Sequence, residues 1–144
     1  METTTMGRVL TEVVIENFGD LWNVEQGSLS PDKVRRAVVS DALVDTGATF
    51  LSLPASLVRQ LGLMKMGSRR ITSSIGPGES AVYDAVRLTI QGRSCTVDVA
   101  ELPDGVPVLV GQLPLEALDL VVDLRSRKLT GNPAHGGEYV IEMY

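Results

Sequence analysis

Cysteine and histidine are each present once in 144 residues, and these two scarcities exclude several chemistries together. A single thiol, Cys95, cannot build an internal disulfide framework, which suits a reducing compartment. With His135 as the lone imidazole, a zinc site or a Cys–His nucleophile pair has almost no residues to draw on. Ser73-Ser74 lacks the flanking pattern of a nucleophile elbow. No cofactor or metal is expected. Positive charge is also short: 13 Lys and Arg stand against 18 Asp and Glu, a net charge of −5. The basic residues fall in small groups (Arg35-Arg36, Arg69-Arg70, and Arg125 to Lys128 in a solvated turn), so nucleic acid and anionic membranes are not expected partners. No apolar run approaches a bilayer span. Residues 1–10 have neither the basic n-region nor the apolar run of a signal peptide, and the expected location is the cytoplasm. Aromatic residues make up only 4%, and Trp22 is ambiguous: it packs a loop down or marks a contact surface.

What is present is ordinary for a globular chain, with 44% hydrophobic residues and enough length for one domain with a real core. Residues 1–144 are expected to form a single domain with its core at about 8–130. Residues 1–7 are polar and expected to be loose. Val9, Thr11, Val13 and Ile15 share one face of a first strand. Residues 17–33 interrupt the pattern with Gly19, Asp20, Gly27, Ser28, Ser30 and Pro31, and read as a long loop insertion. A strand over 34–44 runs straight into Asp45, and a short one over 49–53 follows. Pro54 then opens a two-turn helix that Gly62 stops. Residues 69–84 suggest a hairpin with its tip at Ile75-Gly76-Pro77-Gly78. A second hairpin alternates Val86, Leu88 and Ile90 against Cys95, Val97 and Val99 around Gly92, with Cys95 as a small core residue. After a Pro/Gly loop, a strand over 107–110 ends at Gly111, and a second short helix opens at Leu113-Pro114. A last hairpin spans 120–130. Residues 131–144 form a tail, with His135 expected in solvent and an alternating strand over 139–143 that has no obvious partner in the domain and is expected to pair across a dimer.

Two segments repeat approximately. Leu43-Val44-Asp45, then Leu53-Pro54 and a helix, echoes Leu109-Val110-Gly111, then Leu113-Pro114 and a helix. A mainly β fold with a pseudo-twofold internal repeat follows, in which only the first copy carries a carboxylate. The segment Ala42-Leu43-Val44-Asp45-Thr46-Gly47-Ala48, the Gly-rich hairpin and Val108-Leu109-Val110-Gly111 before a helix together resemble the retroviral-type (retropepsin-like) aspartic protease family over about residues 9–130. The resemblance implies a closed acid-protease barrel with one or two short helices, and a homodimer whose two chains each supply one Asp-Thr-Gly. It implies Asp45 as the catalytic aspartate of a peptide-bond hydrolase and Thr46 as the hydroxyl that locks the two loops together. Gly47, Ala48 and Thr49 would line the substrate cleft, residues 75–78 would be a flap tip, and Gly111 would pack under the catalytic loop. Three departures bear on specificity and assembly: Thr49 stands where viral members commonly carry an acid, the 17–33 connection replaces a tight turn, and the tail is longer.

The chemistry accounts for the arrangement. Peptide hydrolysis without metal or covalent intermediate needs a base for water and an acid for the carbonyl oxygen. Two carboxylates about 3 Å apart share one proton and serve as both. One Asp45 per chain cannot do this, so the chemistry requires a second copy. The rival readings are a catalytically silent dimeric peptide- or protein-binding module on the same fold, and an assembly element that uses residues 17–33 as its contact surface.

Overall fold

The computed structural model describes residues 8–73 and 76–143. Its strands are β1 (Leu10–Asn17), β2 (Arg36–Val44), β3 (Leu51–Pro54), β4 (Met64–Ser73), β5 (Gly76–Ile90), β6 (Arg93–Leu102), β7 (Leu109–Val110), β8 (Leu120–Asp123) and β9 (Lys128–Gly131). The helices are α1 (Phe18–Glu25), α2 (Ala55–Leu61) and α3 (Gln112–Ala117), with single 3-10 turns at Pro31–Lys33 and Pro133–His135. Seven strands form one mixed sheet in the order β1-β2-β7-β3-β6-β5-β4, and β1 also pairs with β5. That extra pairing closes the sheet into a six-strand ring, with β4 hanging from the same edge of β5 that β1 uses. The fold is therefore the mainly β closed barrel expected.

Alternation decides which residues fill the ring. Val13 and Ile15 of β1, Leu51 and Leu53 of β3, Val86, Leu88 and Ile90 of β5 and Val99 of β6 are at most 1% exposed. Each buried aliphatic side chain of this kind contributes about 1.5–3 kcal/mol by leaving water. The seam where β1 meets both neighbours carries a buried carboxylate, Glu16, whose two oxygens lie 2.9 Å from Arg36 of β2 and 3.0 Å from Arg87 of β5. Burial raises the Glu16 carboxyl, but hydrogen bonds and charge from the two arginines outweigh it and leave it lowered.

The strand β5 is continuous across the boundary between the two hairpins read from the sequence. It runs unbroken for 15 residues, pairing with β4 along its first half and β1 along its second. The register slips between Tyr83 and Val86 against β6, and between Lys65 and Gly67 against β4. Those bulges, with the polar Asp84 between them in the pattern, made one strand look like two. At the far end Gln91 and Gly92 both have positive φ (53° and 79°), the signature of a two-residue type I′ turn.

Three expectations need correction. Residues 17–33 are not a featureless loop, because α1 occupies the first half. Its N-cap is Asn17, whose side chain accepts the Asp20 N–H at 2.9 Å. The apparent breakers Gly19 and Asp20 sit in the first turn, where an acid is favourable. Asp20 is then fixed by Arg35, with Nε and Nη2 each 2.9 Å from its oxygens. Next, the strand expected from residue 34 begins at Arg36, after the Pro31–Lys33 turn. Finally, His135 is not solvated but held between two carboxylates. Among the described residues, 139–143 pair with no strand of their own chain. Alternation marked an extended segment there, yet no neighbouring strand edge in the chain receives it. The other elements stand within a few residues of expectation, including Gly62 as the left-handed cap (φ 64°) of α2.

Candidate active site

The site is built where β7 lies between β2 and β3. Strand β2 runs parallel to β7 (Leu43 beside Leu109, Val44 beside Val110), and β3 runs antiparallel on its other side (Leu51 beside Val110). The chain entering the Asp45 turn and the chain leaving it are thus bonded to the same two-residue strand. The Asp45 N–H donates to the Val110 carbonyl at 2.9 Å, which fixes the residue at the end of the β2–β7 ladder. The turn then closes on itself. The Ala48 N–H donates to the Asp45 carbonyl at 3.0 Å, and the Gly47 N–H donates to Asp45 Oδ1 at 3.0 Å. This is the local side-chain bond that makes aspartate a turn residue. Among the described residues no hydrogen bond reaches Oδ2. One oxygen orients the carboxylate while the other stays uncommitted, and Asp45 is half-buried beside exposed Thr46 and Gly47.

Beneath the turn, the start of α3 takes up the carbonyls of the departing chain. The amides of Gly111, Gln112 and Leu113 donate to Phe50, Ala48 and Thr49 at 3.0, 2.8 and 3.0 Å. A helix start leaves such donors unpaired, so the loop carbonyls and the helix satisfy each other. Gly111 is required for this approach. A Cβ there would meet the Phe50 oxygen at 2.5 Å and the Ala48 oxygen at 2.8 Å, both backbone, closer than any side chain can sit. The structure thus brings Asp45, Thr46, Gly47, Ala48, Thr49 and Gly111 into one unit.

Gly76, Pro77 and Gly78 open β5 at the end of the β4–β5 ladder, in register with Ser73, Thr72 and Ile71 of β4. Ile75 lies outside the described residues. Sequence reading missed Arg69 of β4, which it treated as one of several scattered basic residues. Its guanidinium lies over the Phe50 ring, 5.7 Å from the centroid. Phe50 is the first aromatic after the motif, and that position was the available signal. The contact ties the β4–β5 hairpin to the chain leaving the Asp45 turn. Cys95 is partly buried, and burial pushes its thiol up to about 11, which makes it a poor nucleophile. Among the described residues no cluster of three metal-ligating side chains occurs.

An aspartyl protease family model matches residues 33–113, more than half of the chain. The match runs from the approach to β2, through the Asp45 turn and the β4–β5 hairpin, to the start of α3. The chain belongs to the aspartyl protease family. A comparison with curated proteins finds no match. The matched span contains β2, the Asp45 turn, β3, β7 and the first residues of α3, and it excludes β1, α1, the β8–β9 hairpin and the tail. No helix among the described residues is long and apolar enough to cross a membrane.

Proposed function

We propose that this aspartyl protease is a homodimeric endopeptidase in which Asp45 of each subunit supplies half of one active site. The observation that carries the reading is the pairing of the two repeats: the first presents an oriented, half-exposed carboxylate, and the second has Gly111 at the equivalent place. One chain therefore has one such carboxylate, and the acid–base chemistry needs two. In the proposed cycle the ionised Asp45 takes a proton from water as its oxygen attacks the peptide carbonyl carbon. The partner's Asp45, protonated, gives its proton to the carbonyl oxygen. The tetrahedral diol then collapses: the proton held by the first carboxyl passes to the amide nitrogen, the C–N bond breaks, and the second carboxylate recovers its proton from the diol. The pair titrates as a unit, so a bell-shaped pH–rate profile is expected.

Roles for the neighbours follow from the same reading. Exposed Thr46 offers a hydroxyl across the twofold axis. Gly47, Ala48 and Thr49 line the cleft, and the β4–β5 hairpin, with Gly76 to Gly78, closes over an extended peptide held as an added strand. The tail, held on its own chain through Tyr139 and Val140, would meet the partner subunit through its outward residues Ile141 and Met143, and cytoplasm is the expected location. A mixing experiment tests the two-carboxylate site. Asp45→Asn subunits exchanged in equal amount into wild type should leave roughly a quarter of dimers with both carboxylates. Peptide cleavage per wild-type chain should then fall about twofold, with no cleavage by Asp45→Asn alone. Undiminished activity per wild-type chain after exchange defeats the shared site, and cleavage by the pure variant defeats the mechanism. No cleavage by wild type, and no binding of a statine-type analogue, would favour the silent binding module. Removing residues 138–144 should weaken dimerisation by sedimentation; an unchanged profile would rule out the tail's part in it.

A further inference from the structure

The C-terminal tail lies on α3 and β8, and a single histidine decides how it is held. Asp119, in a left-handed conformation (φ 55°) just past α3, accepts from His135 Nδ1 at 2.7 Å. It also accepts from Asn132 Nδ2 at 3.3 Å and from the Val140 N–H at 3.2 Å. The other ring nitrogen, His135 Nε2, lies 3.2 Å from Glu142 of the tail. Tyr139 adds hydroxyl bonds to the carbonyls of Ala117 and Ser94 at 3.0 and 3.3 Å. A neutral imidazole has one donor and one acceptor, whereas two carboxylates facing both nitrogens need two donors. Only the imidazolium satisfies both contacts.

We infer that His135 is a pH-operated latch that fixes the end of the tail as an imidazolium between Asp119 and Glu142, and frees it on losing its proton. The facing groups agree. Asp119 past α3, Glu142 in the tail and Glu116 on α3 across the same groove are acidic. Arg93 at the start of β6 is the facing cation, but its guanidinium is committed to the carbonyls of Leu118, Asp119 and Gly137 and to the Tyr139 ring. Hydrogen bonds from Asp119 and then Glu142 raise the His135 value above its ordinary 6.5. A raised value means the latch is fully closed below about pH 6.5 and opens as pH climbs through the raised value. Release starts at Glu142, because neutral His135 can still donate Nδ1–H to Asp119. The segment set free is apolar: Ile141 and Met143 are 62% and 78% exposed. Together with Val140, Ile141 walls a groove of about 430 Å³ on Leu115, Leu120 and Val121. Those three residues also line the adjoining groove of about 360 Å³ that reaches Val44 and Thr46. The latch therefore controls an apolar strip on the face of the Asp45 turn, whether or not the chain cleaves peptides.

The lone histidine makes the test clean. In the full-length protein the His135 proton resonance should titrate with a midpoint above 6.5, and Glu142→Gln should lower that midpoint by roughly half a pH unit. The ¹⁵N heteronuclear NOE of Met143 should drop between about pH 5.5 and about pH 8.5 in the wild type. In His135→Gln it should be low at both pH values. A midpoint at or below 6.5, a wild-type tail equally rigid at both pH values, or a rigid tail in His135→Gln would each overturn the latch.

Discussion

The two strand–turn–helix segments start from nearly the same sequence and end in opposite environments. Leu43-Val44-Asp45 runs into a turn that bulges outward, with Thr46 and Gly47 exposed and seven further residues before β3 ends at Pro54. Leu109-Val110-Gly111 goes directly into α3, and Gly111 is buried against the carbonyls of the first turn. The first copy spends its backbone bonds on shaping a carboxylate. The second spends them on supporting that shape, since the Val110 carbonyl accepts the Asp45 N–H and the amides of Gly111, Gln112 and Leu113 donate to the carbonyls of Phe50, Ala48 and Thr49. A repeat need not keep chemistry in both halves; one half can become the other's foundation.

If that division holds, substitutions in the two turns should fail in different ways. The largest effect is expected for Asp45→Asn, which should lower kcat/KM on a peptide library by about 10²–10⁴-fold, the range for losing a general acid–base group. Its melting temperature should stay near that of the wild type, because among the described residues only the Gly47 contact uses the carboxylate. Next comes Gly111→Ala, where the new Cβ collides with backbone that cannot rotate away. A stability loss of about 1–3 kcal/mol in denaturant titration is expected, with activity falling only as folded protein is lost. Smallest in stability is Gly47→Ala, where an added Cβ meets only the Asp45 carboxylate, at 3.3 Å. It should cost less than about 0.5 kcal/mol, while crowding the proposed cleft and raising KM. If Gly47→Ala proved as destabilising as Gly111→Ala, the contrast between an open turn and its foundation would be lost.

The sequence made the frame of the site legible because short-range chemistry builds it. An Asp–Gly turn after apolar residues, and a second apolar run ending in glycine, leave few local alternatives. What could not be read depended on distant partners. Asp20 pairs with Arg35 across the whole of the α1 connection, and the first-turn glycine and acid of α1 imitate a loop. His135 finds Asp119 sixteen positions away, and no spacing rule connects them. Residues 139–143 alternate as a strand should, but alternation reports two faces and not the presence of a neighbouring edge. Gly-Pro-Gly at 76–78 is turn chemistry, yet the β4 register draws these residues into the end of the ladder.

The long strand β5 carries one more consequence. Its first half belongs to the β4–β5 hairpin and its second half is a stave of the barrel, so the hairpin is a cantilever whose root is cemented into the wall. The bulge between Tyr83 and Val86 and the one between Lys65 and Gly67 fall side by side, since Lys65 is the partner of Tyr83. Unpaired residues are the compliant points of a ladder. Bending of the beam is thereby concentrated at one line across β4 and β5, just outside the Glu16 seam. Load applied at the free end should therefore bend the hairpin at that line before it strains the six-strand ring.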